Sequence, residues 1–102
     1  MVKHIVMWKF KEEIADADRA MIRENMKNNL EALVGQVPGL IQLKFQANLL
    51  PKSTHDMALT SEFTTPEALA GYSHHPAHVV VANTYVRPFV CNRSCLDYEV
   101  EK

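Results

Sequence analysis

Cysteine, glycine and tryptophan are scarce in this chain of 102 residues, at two, three and one respectively, and neither sign of charge dominates. Each shortage excludes something. Two cysteines, Cys91 and Cys95, cannot build the disulfide framework of a small secreted scaffold. Lying four residues apart with no second Cys or His pair at metal spacing, they also make a poor zinc site, and they read as structural free thiols. Eleven Lys and Arg against twelve Asp and Glu leave a net charge of -1. The basic residues are scattered rather than striped, so no nucleic-acid footprint is present. The longest apolar runs, Ile5 to Trp8 and Val79 to Ala82, fall far short of the ~20 residues that cross a bilayer. No apolar leader with a small-residue cleavage site opens the chain. The expectation is a cytoplasmic protein without nucleic-acid or membrane partners.

What is present, 47% hydrophobic and 23% charged residues, describes one globular domain over residues 1–102. A chain this size buries only roughly 65% of the surface it exposes when unfolded, so a partner subunit that enlarges the core is a question from the start. No repeat, low-complexity stretch or linker interrupts it, and the five prolines fall near the edges of patterned segments.

Residues 2–10 carry apolar side chains at both parities, with Val2, Val6, Trp8 and Phe10 on one face and Ile5 and Met7 on the other. That pattern predicts a strand covered on both sides. From Asp16 a helical period runs through Ile22, Met26, Leu30, Leu33 and Val37 to Pro38-Gly39. Residues 40–47 alternate, with Ile41, Leu43, Phe45 and Ala47 on one face, and residues 56–63 form a third strand. Thr64-Thr65-Pro66-Glu67 reads as a helix start, and the helix should run through Tyr72. A further helical stretch begins at Pro76 and meets Pro88, and residues 93–100 alternate as a closing strand. The order βαββαβ predicts an α+β, ferredoxin-like fold, a four-stranded antiparallel sheet with helices on one face. The other face needs a cover, which a second copy of the same sheet would provide.

The opening Lys3-His4-Ile5-Val6-Met7-Trp8-Lys9-Phe10-Lys11 resembles the start of the stress-responsive A/B barrel (Dabb) family of the dimeric α/β barrel superfamily. The likeness continues through Val37-Pro38-Gly39-Leu40, the strand with Asp56 and Ala58, Tyr72-Ser73-His74-His75-Pro76-Ala77-His78, Arg87-Pro88 and Asp97-Tyr98. It implies a homodimer of ferredoxin-like halves packed sheet to sheet, with helices outside. Its implication for chemistry is looser, because one fold hosts unrelated reactions. A polyketide-cyclising plant branch of the family relies on a Tyr before the HPAH element and on that element's last His, which match Tyr72 and His78. Its first-strand His is matched by His4. Where that branch has a further His and a Tyr in its pocket, this chain has Met57 and Met26, so two polar pocket positions are apolar here.

His78 is expected in the first turn of a helix, where free amides and the positive dipole end disfavour an imidazolium. A neutral His there serves as a general base. With Tyr72 donating to an enolate or carbonyl oxygen, the pair would support a cofactor-independent cyclisation, lyase reaction or isomerisation. The same residues also serve plain packing: a turn His bonds backbone, and a core Tyr satisfies its hydroxyl. His4, Trp8, Met26, Met57 and His75 are the candidates to line a pocket for a small apolar ligand, although Met and Trp on such faces commonly fill cores. His74, His75 and His78 raise the question of a metal, but Pro76 divides them and no acid or thiol lies close in sequence, so no metal or cofactor is assigned. Two functions follow, a small homodimeric ligand-binding protein and a cofactor-free enzyme. A haem-handling or quinol-oxidising relative in the wider superfamily fits the HPAH element less well. An open apolar pocket of roughly 300 Å³ or more on which Tyr72 and His78 converge would favour the enzyme.

Overall fold

Strand β1 (Val2–Phe10) decides the layers, because its side chains alternate between a buried face and a half-open one. In the computed structural model, which describes residues 1–100, Val2, His4, Val6, Trp8 and Phe10 are buried, while Ile5 and Met7 are only partly covered. Helix α1 (Asp16–Glu31) follows, then β2 (Leu40–Gln46), β3 (Met57–Phe63), helices α2 (Pro66–His74) and α3 (Pro76–Val81), a π-helical turn over Ala82–Val86, and β4 (Val90–Glu99). The sheet order is β2-β3-β1-β4, with every neighbouring pair antiparallel. Helices and buried sheet face enclose one core in which Met26, Met57 and Phe63 are wholly inaccessible. This is the ferredoxin-like α+β arrangement expected from the order of elements.

Three boundaries depart from expectation. Leu33 and Val37 are buried as the helical period predicts, yet α1 stops at Glu31. The chain then winds through turns to Gly35 at φ 94°, a left-handed conformation that glycine adopts without the strain of a Cβ. Ile41 was expected inward with Leu43 and Phe45, but it is 44% exposed. The β2–β3 register shifts between Leu40 and Gln42, so Ile41 is the extra residue of a bulge and Leu40 takes the buried place. The last strand begins at Val90, three residues earlier than its alternation suggested, because a second irregularity separates the Met7–Ser94 and Lys9–Cys91 pairs. Asn92 lies in that irregularity at φ 52°, a conformation that Asn tolerates better than most residues.

Two local devices position the helices over the sheet. The Thr65 hydroxyl accepts from the Ala68 amide at 3.1 Å and Pro66 supplies the first turn, so α2 starts where the sequence signal places it. Beneath it the backbone of Gly39, at φ 80°, passes so close that an added Cβ would overlap that of Ala68. Only glycine lets α2 sit this low on β2.

Candidate active site

Pro76 creates the site by breaking one helix into two. The residue before a proline is driven out of the α region, and His75 accordingly sits extended at φ -65°, ψ 131° between α2 and α3. Its Nδ1 accepts from the Ala77 amide at 3.1 Å and caps α3. The resulting corner brings Tyr72, near the end of α2, against His78 of α3, with ring centroids 4.1 Å apart. Phe63 and His4 complete an aromatic cluster around Tyr72, at 5.1 and 6.3 Å.

Tyr72, His78 and His4 border a cavity of about 300 Å³ between the helices and the β1–β4 side of the sheet. Its buried wall is apolar, from Val6, Trp8, Leu30 and Leu59. Its exposed rim carries Arg87, Asn92 and Arg93. The irregularity in β4 thus does local work, since bulges re-aim side chains beside sites.

Two polar atoms on this cavity are buried without a hydrogen-bond partner, the Tyr72 hydroxyl and His78 Nδ1. A buried polar atom left unpaired normally costs about 1–3 kcal/mol, so these two neighbouring atoms are available to pair with whatever water or ligand occupies the cavity. Burial pushes the Tyr72 hydroxyl far above its ordinary pKa of 10 against the opposing charge of Arg93, so it remains a proton donor. Burial also lowers the His78 pKa from 6.5, helped by the charges of Arg87, His4 and Arg93 and opposed by the nearby Ser73 backbone. Neutral His78 is the expected state, but desolvation rather than the helix dipole is its leading cause. The pair therefore offers a hydroxyl donor and a free imidazole base on one apolar cavity.

Of the residues expected around the ligand, Tyr72, His78, His4 and Trp8 line this cavity. Met26 and Met57 do not, because both are fully buried in the core. His75 is absent from the wall as well, its imidazole being spent on the α3 cap. Sequence reasoning missed Arg87 and Arg93 at the rim and Asp97 beside His4. Asp97 stands opposite His4 in the β1–β4 register, and its Oδ1 accepts a hydrogen bond from His4 Nδ1. Burial alone would raise the Asp97 pKa, but the hydrogen bond and charge of His4, with Cys95 and Arg93, hold it below 3.8. A strand-pairing argument could have found this contact, since both strands were recognised and only their register was not.

Comparison with known proteins gives consistent results. Residues 2–100 match the family model of the stress-responsive A/B barrel domain. The chain is 29% identical to olivetolic acid cyclase of Cannabis sativa over 99% of its own length and 98% of that protein. Its fold superimposes on a Bacteroides fragilis protein described as dimeric, ferredoxin-like and of unknown function, with a TM-score of 0.88 and 28% identity, covering 97% of this chain and 95% of that one. Hydroxynitrile lyase from Passiflora edulis shares the fold at a TM-score of 0.72 and 19% identity, over 99% and 94% of the two chains.

Proposed function

The chain belongs to the stress-responsive A/B barrel domain family, and from that premise we propose that it binds a small apolar carbonyl compound and catalyses a cofactor-independent proton transfer on it. The observation that carries this reading is the pair of unpartnered polar atoms, Tyr72 hydroxyl and His78 Nδ1, on one largely apolar cavity of about 300 Å³. His78 removes the proton from the carbon next to the carbonyl. The Tyr72 hydroxyl then hydrogen-bonds the enolate oxygen, whose developing charge a fixed donor in a water-poor cavity stabilises best. The enolate closes on a second carbonyl or is reprotonated, so the reaction class is a cyclase, lyase or isomerase. The relationship to olivetolic acid cyclase supports the class and not the substrate, because the two polar positions expected of that branch are Met26 and Met57 here, and both are buried in the core away from the cavity.

Solvent deuterium uptake at the α-carbon of an alkyl β-keto thioester, measured by NMR above the spontaneous rate, tests the mechanism. Tyr72→Phe and His78→Ala are each expected to lower that uptake at least about a hundredfold while the far-UV spectrum is unchanged. Uptake at the wild-type rate in both variants would sink the assignment. Activity should be lost on acidification with its midpoint below 6.5, because the base of this site is held below its ordinary pKa.

The assembly proposed is a homodimer packed sheet to sheet. Ile5 and Met7 share the open face with Leu96 and Tyr98, which are 59% and 44% exposed. A second copy covers this surface with the same surface, as a two-fold interface requires. The Bacteroides fragilis neighbour is described as dimeric, which agrees.

A further inference from the structure

At the edge of the cavity, where His4 forms part of the wall, the β1–β4 ladder gathers three chemically different donors at one point. His4 and Asp97 are register partners, and Cys95 pairs with Val6, so period-two alternation puts all three on the helix-facing side of the sheet. The His4 Nδ1, Cys95 Sγ and Asp97 Oδ1 lie within 4.8 Å of one another, the sole such group among the described residues. We propose that His4, Cys95 and Asp97 form a three-ligand site for a zinc-class divalent transition metal, with its remaining position open to water.

The geometry fits that ion. Tetrahedral zinc with Zn–S of about 2.3 Å and Zn–N or Zn–O of about 2.0 Å requires sulfur-to-nitrogen and sulfur-to-oxygen edges of roughly 3.5 Å. The observed edges are 3.7 Å from Cys95 Sγ to His4 Nδ1 and 3.5 Å from Sγ to Asp97 Oδ1. The third edge is the direct His4–Asp97 hydrogen bond, which must lengthen to admit the ion. Asp97 can yield, since its side chain is 45% exposed, whereas His4 is fixed by burial. Thiolate and imidazole together select zinc-class metals over calcium or magnesium, which take oxygen ligands. The thiolate and carboxylate charges neutralise the ion, which offsets the nearby positive charge of Arg93. On binding, Cys95 releases its thiol proton to solvent as the metal–sulfur bond forms, and His4 takes the metal at Nδ1 with its N–H at Nε2.

That use of His4 links the ion to the cavity. Cys95 and Asp97 lie outside the cavity wall and His4 lies in it, so the imidazole stands between the two. With Nδ1 on the metal, the N–H of the ring sits at Nε2, so the ion fixes which tautomer His4 adopts.

Titration of the purified full chain with cobalt(II), as a spectroscopic substitute for zinc, is the test. One equivalent per chain should give a cobalt–thiolate charge-transfer band that vanishes in Cys95→Ser and persists in Cys91→Ser. Zinc affinity, read by competition with a chromophoric chelator, should fall at least about tenfold in Cys95→Ser and in Asp97→Asn. Both positions are exposed and both replacements are near-isosteric, so the variants should fold, and far-UV spectra will verify this. A wild-type spectrum without the thiolate band, a band that survives Cys95→Ser, or unchanged zinc affinity in Asp97→Asn would overturn the site.

Discussion

The two faces of the sheet spend their apolar residues differently. On the covered face Val2, Val6, Trp8 and Phe10 pack against helices, and the core closes around Phe63. On the open face Ile5 and Met7 are half-covered, and Leu96 is largely bare. One layer of helices over a chain of 102 residues has only enough surface to satisfy one face. The covered face holds the fold and, where α2 breaks into α3, leaves the cavity. The open face contributes little to the lone chain, and it is the face on which the proposed dimer would pack.

Unequal responses to substitution would break or sharpen that contrast. The largest effect is expected from Phe63→Ala on the covered face, where removing a wholly buried ring should cost ~3–5 kcal/mol and lower the midpoint of thermal unfolding steeply. A loss under about 1 kcal/mol would mean that the core is not centred there. A double change on the open face, Ile5→Lys with Leu96→Lys, should instead halve the mass seen by light scattering at micromolar concentration and retain the far-UV spectrum. Unchanged mass would show that this face is not where chains meet. The smallest effect should come from Thr65→Ala, which removes the bond to the Ala68 amide and costs ~1 kcal/mol in chemical denaturation. If the contrast is correct, that loss leaves the mass of the assembly untouched.

Period and punctuation carried most of the fold. Alternation placed β1, the Thr65–Pro66 signal placed α2, and Pro76 separated the two short helices where expected. The errors have local causes. Leu33 and Val37 kept the helical period after the helix had ended, because burial demands an inward side chain whether or not the backbone is helical. Ile41 broke its strand's alternation because a bulge inserts a residue that no pattern announces. In the site, Tyr72 and His78 were legible because only five residues, one of them Pro76, separate them. The His4–Asp97 contact was not, since it spans 93 positions and exists only through strand register. The same distance explains the misplaced question about metals: His74, His75 and His78 are close in sequence, but the donors that converge come from opposite ends of the chain.

Strand β1 has a consequence that reaches past either face. It presents His4 and Trp8 to the cavity and, one residue over, Ile5 and Met7 to the open side. In the proposed dimer, occupancy of the cavity and association of chains would act on the same nine-residue segment. Any ligand that prefers the paired form must strengthen pairing by the same factor, since linkage is reciprocal. Affinity for such a ligand becomes a function of protein concentration, and dilution would weaken it by that factor.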